Sequence, residues 1–106
     1  MQPSFSQRVY DLTLMIPPGF VTTYGDLARA AGGGAMAARS ITGILGKAPN
    51  QSSIPYHRIV YAGGRVWLPS GNEKERRQLY KRENIIVDDK GRIKDFEEIL
   101  WDWKQN

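Results

Sequence analysis

Apolar positions mark helices in the first half of the chain and short strands between helices in the second. Phe5, Val9, Leu12 and Ile16 recur at i, i+4, i+7 and i+11, laying one apolar stripe along a helix. Ser4 and Gln7 have capping-box spacing at its start, and Pro17-Pro18-Gly19 ends it. Thr23 and Asp26 repeat that spacing, so a second helix is expected from about Tyr24 to Ala31, burying Leu27 and Ala31. Gly32-Gly33-Gly34 closes it. A third helix is expected from about Ala35 to Leu45, with Ile41, Ile44 and Leu45 inward. Helix, glycine turn, helix is the outline of a helix-turn-helix, which also occurs in folds that never meet DNA.

Beyond Gly46 the period changes. A loop runs to Ser53, and Pro55 makes the next stretch start stiffly. Ile59, Val60 and Tyr61 suit a short strand, Gly63-Gly64 a turn, and Val66-Trp67-Leu68 is expected to pair back on that strand. Asn72 stands as N-cap of a charged helix from about Glu73 to Glu83, supported by a Glu73–Arg77 pair, its charges read mostly as a solvated face. Ile85 to Ile93 reads as a hairpin turning at Asp88-Asp89-Lys90-Gly91. Phe96, Ile99, Leu100 and Trp103 imply a final amphipathic helix, with Trp101 on another, exposed face.

Composition narrows the chemistry. The 106 residues suit one domain, 1–106, with a modest core. There is no cysteine, which excludes disulfides, thiolate metal sites and cysteine nucleophiles. No apolar run is long enough to span a membrane, and a soluble, unprocessed, cytoplasmic protein is expected. Net charge is +4, but residues 84–106 carry four basic and six acidic groups, leaving +6 on the first 83. A basic body suits a polyanion, nucleic acid first.

Two places stand out. In Ile54-Pro55-Tyr56-His57-Arg58-Ile59-Val60 the only histidine enters a strand beside a bulky phenol, where a satisfied core histidine and a functional one are both open. In Ala37-Ala38-Arg39-Ser40 small side chains let the backbone approach a duplex with one arginine projecting. That suits a minor-groove approach with one inserted side chain better than base reading in the major groove. An ordinary surface arginine is the alternative.

The three blocks Val21-Thr22-Thr23-Tyr24-Gly25-Asp26-Leu27-Ala28, Ala37-Ala38-Arg39 and Ile54 to Val60 occur in the order seen in the O6-alkylguanine-DNA alkyltransferases. Pro55-Tyr56-His57-Arg58-Ile59 resembles their Pro-Cys-His-Arg-Val active-site motif, with tyrosine where the reactive cysteine would fall. A thiolate attacks the alkyl carbon in those enzymes. A phenol, with a reference pKa of about 10, is a weak nucleophile at neutral pH. A kept motif without its nucleophile resembles the alkyltransferase-like proteins, most of which carry tryptophan there.

The resemblance covers about residues 4–87 and implies a mainly α fold with small β elements, a winged-helix-like helix-turn-helix domain as in the alkyltransferase C-terminal domain. It implies that Tyr24 helps rotate the target nucleotide outward and that Arg39 fills the gap in the stack. Ala37, Ala38 and Ser40 would lie in the minor groove. Tyr24, Tyr56, Arg58, Ile59, Trp67 and Ser70 would line the pocket for the flipped base. His57 and Glu83 resemble the pair that activates the cysteine; with no thiol present, a structural role is expected, through a bridging water. Trp67-Leu68-Pro69 replaces the family's Gly-Asn-Tyr, implying a pocket that accepts a wider set of alkyl groups. Thr42 stands for a glycine, and Ala48 for the asparagine that braces the active-site turn.

The expected function is non-enzymatic recognition of O6-alkylguanine in double-stranded DNA by base flipping. It would mark the lesion for nucleotide excision repair and block alkyl transfer by others. The protein would act as a monomer, without metal or cofactor, with Trp101 or the acidic tail recruiting a repair protein. A sequence-specific helix-turn-helix regulator is the alternative; a hydrolase or transferase using His57 and a binding domain for acidic proteins stand behind it.

Overall fold

The computed structural model describes residues 4–34 and 36–105. α1 (Phe5–Met15) starts as expected: Ser4 Oγ accepts from the Gln7 N–H at 3.1 Å. Val9, Thr13 and Ile16 form its buried face. After Pro17-Pro18-Gly19 the chain enters β1 (Thr22–Thr23) and at once α2 (Tyr24–Ala30), capped by the Thr23 hydroxyl on the Asp26 N–H at 3.0 Å. Leu27, Ala28 and Ala31 are fully buried.

The next helix differs from expectation. Its predicted first residue, Ala35, lies outside the described residues. Ala37–Ser40 form a 3-10 turn, and the α-helix proper, α3, covers only Ile41–Gly46. Gly33 explains the tight entry. A Cβ there would stand 2.5 Å from the Ala37 Cβ and 2.9 Å from Phe5, so only glycine lets the turn lie against α2.

β2 (Ile59–Val60) pairs with β1 in parallel, Thr22 opposite Ile59 and Thr23 opposite Val60. The expected partner, Val66-Trp67-Leu68, lies elsewhere. The turn is closed by Tyr61 N–H on the Arg65 carbonyl at 2.9 Å and Gly64 N–H on the Tyr61 carbonyl at 3.0 Å, while Val66 N–H donates to Gly91 and Arg65 bridges Arg92. The physical reason is burial: Thr22 is fully covered, so its edge offers β2 a dry partner. Alternation along β2 then splits the core. Ile59 joins Val9, Leu27, Ala28, Ala31, Ile41 and Leu45, whereas Val60 joins Val21, Val66, Tyr80, Ile85 and Ile93.

α4 (Glu73–Arg82) begins after Asn72, whose side chain makes no capping bond, and the Glu73–Arg77 pair is present at 3.4 Å. The 85–93 hairpin forms, with Val87 opposite Ile93. The final amphipathic helix does not. α5 covers only Phe96–Ile99, after which Leu100 runs as a strand beside Val21. Val21 N–H donates to Ile99 at 3.0 Å and Trp101 N–H to Val21 at 2.7 Å. Trp101 is half-buried rather than exposed, its ring edge-on to Phe20 and Trp103. Among the described residues no helix is long and apolar enough to cross a membrane.

Candidate nucleic-acid interface

Arg39 projects from the 3-10 turn between α2 and α3. It is exposed; its backbone N–H donates to the Met36 carbonyl at 3.3 Å, and its guanidinium projects from the turn. Ala37 and Ala38 beside it are half-buried and Ser40 is exposed. The turn therefore presents the Arg39 cation beside small side chains.

Tyr24 opens α2. Its ring lies 5.7 Å from that of the exposed Tyr61, and its hydroxyl pairs with Thr42, the residue found where glycine was expected. Burial, with Tyr61 alongside, pushes the Tyr24 phenol above its ordinary value; Thr42 and Arg76 act against that. Tyr24 stays neutral and able to donate.

Tyr56 is half-buried in a 3-10 turn, Tyr56–Arg58, against the helical core. Its hydroxyl lies 2.5 Å from Gln51 Oε1 and 3.0 Å from the Leu45 carbonyl, at the C-terminus of α3. Gln51 spends its amide N–H groups on the carbonyls of Leu45 at 2.7 Å and Ala48 at 2.8 Å. Helix ends leave such carbonyls unpaired, so Gln51 is a C-terminal cap for α3 that also holds the Tyr56 phenol.

His57, Arg58 and Glu83 form one network. His57 Nε2 lies 2.5 Å from Glu83 Oε2 in direct contact, rather than through the water expected from sequence. Arg58 donates to Glu83 from Nε at 3.1 Å and from its terminal nitrogen at 2.8 Å, and to the Ile16 carbonyl at 3.0 Å. The Gly19 N–H adds a bond of 2.9 Å. Burial works against ionisation of Glu83, but the bonds from Arg58, Gly19 and His57 outweigh it and hold the carboxyl at about 2. Burial lowers His57, with Glu83 opposing, so the imidazole is neutral at pH 7 and its Nε2–H donates to Glu83. Arg58 is thereby drawn into this network instead of towards a bound base.

Of the other expected pocket residues, Ile59 is buried in β2, Ser70 is exposed on its loop, and Trp67 is exposed with its ring 5.2 Å from the Arg76 guanidinium. Sequence reading missed Arg76 and Gln51. Arg76 had a usable signal, since it stands four residues before Tyr80 on one face of α4; Gln51 had none beyond the missing asparagine. A cavity of about 660 Å3 between α1, α2 and the C-terminal segment includes none of Tyr24, Arg39 or Tyr56. Among the described residues no cluster of three or more His, Asp or Glu could hold a metal.

Residues 4–85 match the family described as 6-O-methylguanine DNA methyltransferase, DNA binding domain. A DNA base-flipping protein of Escherichia coli K12 is 37% identical over 102 residues, 96% of this chain and 78% of that protein. Alkyltransferase-like protein 1 of Schizosaccharomyces pombe is 31% identical over 84 residues, 79% of this chain and 77% of its own. The crystal structure of the S. pombe protein with damaged DNA containing O6-carboxymethylguanine matches with a TM-score of 0.73 at 26% identity, covering 96% of this chain and 99% of that one.

Proposed function

The chain belongs to the family of the 6-O-methylguanine-DNA methyltransferase DNA-binding domain, in its alkyltransferase-like branch, and from that premise we propose that it recognises O6-alkylguanine in duplex DNA by base flipping without removing the alkyl group. The carrying observation is Tyr56. By its resemblance to the family's motif it stands where the nucleophile would fall, and its hydroxyl is tied to Gln51 and Leu45. A phenol whose hydroxyl is so held is a poor nucleophile, and neutral His57 spends its Nε2–H on Glu83.

In this reading the 3-10 turn enters the minor groove, Ala37, Ala38 and Ser40 lie against the backbone, and Arg39 enters the stack. Flipping costs a few kcal/mol of unpairing and unstacking, which an inserted guanidinium partly offsets. Tyr24 crowds the backbone of the extruded nucleotide. Tyr56, Ile59, Trp67 and Ser70 surround its base. With no covalent product, affinity does the signalling: the bound lesion is shielded from alkyl transfer by others and handed to nucleotide excision repair. The protein acts as a monomer.

2-Aminopurine placed beside an O6-methylguanine reports unstacking directly. Its fluorescence should rise on adding wild type and rise far less with Arg39→Ala. An equal rise with both proteins would contradict the assigned role of Arg39.

A further inference from the structure

Arg65 and Arg92 face each other across an antiparallel bridge. The flanking bonds run from Ile93 N–H to the Gly64 carbonyl at 2.9 Å and from Val66 N–H to the Gly91 carbonyl at 2.8 Å. That makes Arg65 and Arg92 a non-hydrogen-bonded pair, the arrangement in which opposed side chains stand closest. Their neighbours Gly64, Val66, Gly91 and Ile93 are buried, so alternation turns both arginines to the solvent face, where both are exposed. Like charges so opposed destabilise a sheet. Among the described residues no acid lies within ion-pair distance of either guanidinium. Asp88, whose charge reaches Arg92, already accepts the backbone N–H groups of Lys90 at 2.8 Å and Arg92 at 3.0 Å on one oxygen. The close packing of Gly64, where a Cβ would stand 2.8 Å from Phe96, holds the register. Two converging guanidiniums without an acid between them match an anion that has several acceptor oxygens.

We propose that Arg65 and Arg92 form a clamp on a DNA backbone phosphate to one side of the lesion, extending the interface beyond the 3-10 turn. The proposal rests on the DNA-recognition reading and adds to it a residue, Arg92, that lies outside the segment 4–85 matched to the family. Position favours DNA over an acidic protein as the ligand. The Arg65 carbonyl accepts from the Tyr61 N–H at 2.9 Å, and the exposed Tyr61 ring lies 5.7 Å from that of Tyr24. The pair therefore stands at the far end of a turn that begins beside the residue assigned to the extruded nucleotide's backbone. A phosphate contact positions the duplex and carries no information about the base. The clamp thus raises affinity for any duplex, and the choice of lesion stays with the pocket.

The test measures Kd over a salt series for one duplex with and without an O6-methylguanine. The proteins are wild type, Arg65→Gln, Arg92→Gln, both together, the double lysine variant, and Lys104→Gln as a charge control. Lys104 lines the cavity that includes none of Tyr24, Arg39 or Tyr56. Each arginine-to-glutamine change should weaken both duplexes at least threefold and leave the ratio between them unchanged. The double glutamine variant should flatten the plot of log Kd against log salt by about 1.8, at about 0.9 for each lost contact. The double lysine variant should keep most of the slope, and Lys104→Gln should stay within twofold of wild type. The melting temperature of the double glutamine variant should hold or rise, because the opposed charges are gone, which separates the clamp from a packing role. Unchanged affinity and slope in that variant would overturn the clamp, as would an equal loss in Lys104→Gln, and both would leave lesion recognition standing. Unchanged DNA binding is also the outcome expected if the pair serves an acidic protein. No preference of wild type for the methylated duplex would remove the flipped-base reading, while the salt slopes would still decide the clamp.

Discussion

Replacing Tyr56 by phenylalanine keeps the ring in the core and deletes the hydroxyl that spans Gln51 and Leu45. Gln51 Oε1 is then left with one partner fewer, so Tyr56→Phe should cost about 1 kcal/mol of stability, measured by urea unfolding. Glu83 carries more. It accepts from Arg58, His57 and Gly19, with only 11% of its side chain exposed, so Glu83→Gln should cost about 3 kcal/mol by leaving Arg58 uncompensated. Its pH signature has a definite sign. The folded carboxyl titrates at about 2 against an ordinary 4.5, so its contribution is full above 4.5 and lost as pH falls towards 2. His57 acts in the same direction from higher pH: its folded pKa lies below 6.5, so the unfolded chain takes up the proton first and stability declines as pH drops through that value. The melting temperature of wild type should fall steadily from pH 7 to pH 3, and Glu83→Gln should flatten the branch below 4.5. Tyr56, His57, Glu83 and Arg39 are singled out from sequence because they sit in a contiguous motif or at fixed offsets from one. The direct contact of His57 with Glu83 was not legible there, since 26 residues separate the two.

At the scale of elements, both N-terminal helices were legible because their caps are local: Ser4 with Gln7, and Thr23 with Asp26, each need only three residues of context. The strand partner of Ile59–Val60 was not. A parallel pairing across 37 residues leaves no trace in either strand's own pattern, whereas a hairpin with Val66 looks natural by proximity. The 3-10 turn at Ala37–Ser40 was read as the first turn of an α-helix because alanine and arginine favour helix, and the close approach at Gly33 overrides that preference. Gly33→Ala should therefore push this turn away from α2. The expected result is at least a tenfold loss of affinity for any duplex, with destabilisation of about 1–3 kcal/mol from overpacking. Electrophoretic mobility shift and urea unfolding on the same preparation would check both.

For the molecule as a whole, the tail has a structural task that its acidic composition concealed. Leu100 extends the sheet edge at Val21, and Trp103 Nε1 donates to the Thr22 hydroxyl at 3.0 Å, so the last residues seal the strand that feeds α2. Removal of residues 99–106 should lower the melting temperature by roughly 5–10 °C, corresponding to 1–2 kcal/mol in a domain of this size. With a net charge of +6 on residues 1–83, affinity for DNA should fall as salt rises through counterion release. Recognition of the lesion against guanine is the claim on which the account turns. The most direct measurement is a titration of duplexes differing only by a methyl group on one guanine O6, at fixed salt, followed by analysis of the recovered DNA. Tighter binding to the methylated duplex is expected, weakened by Arg39→Ala, with the methyl group still on the recovered guanine. Equal affinity for the two duplexes, or DNA recovered without its methyl group, would contradict it.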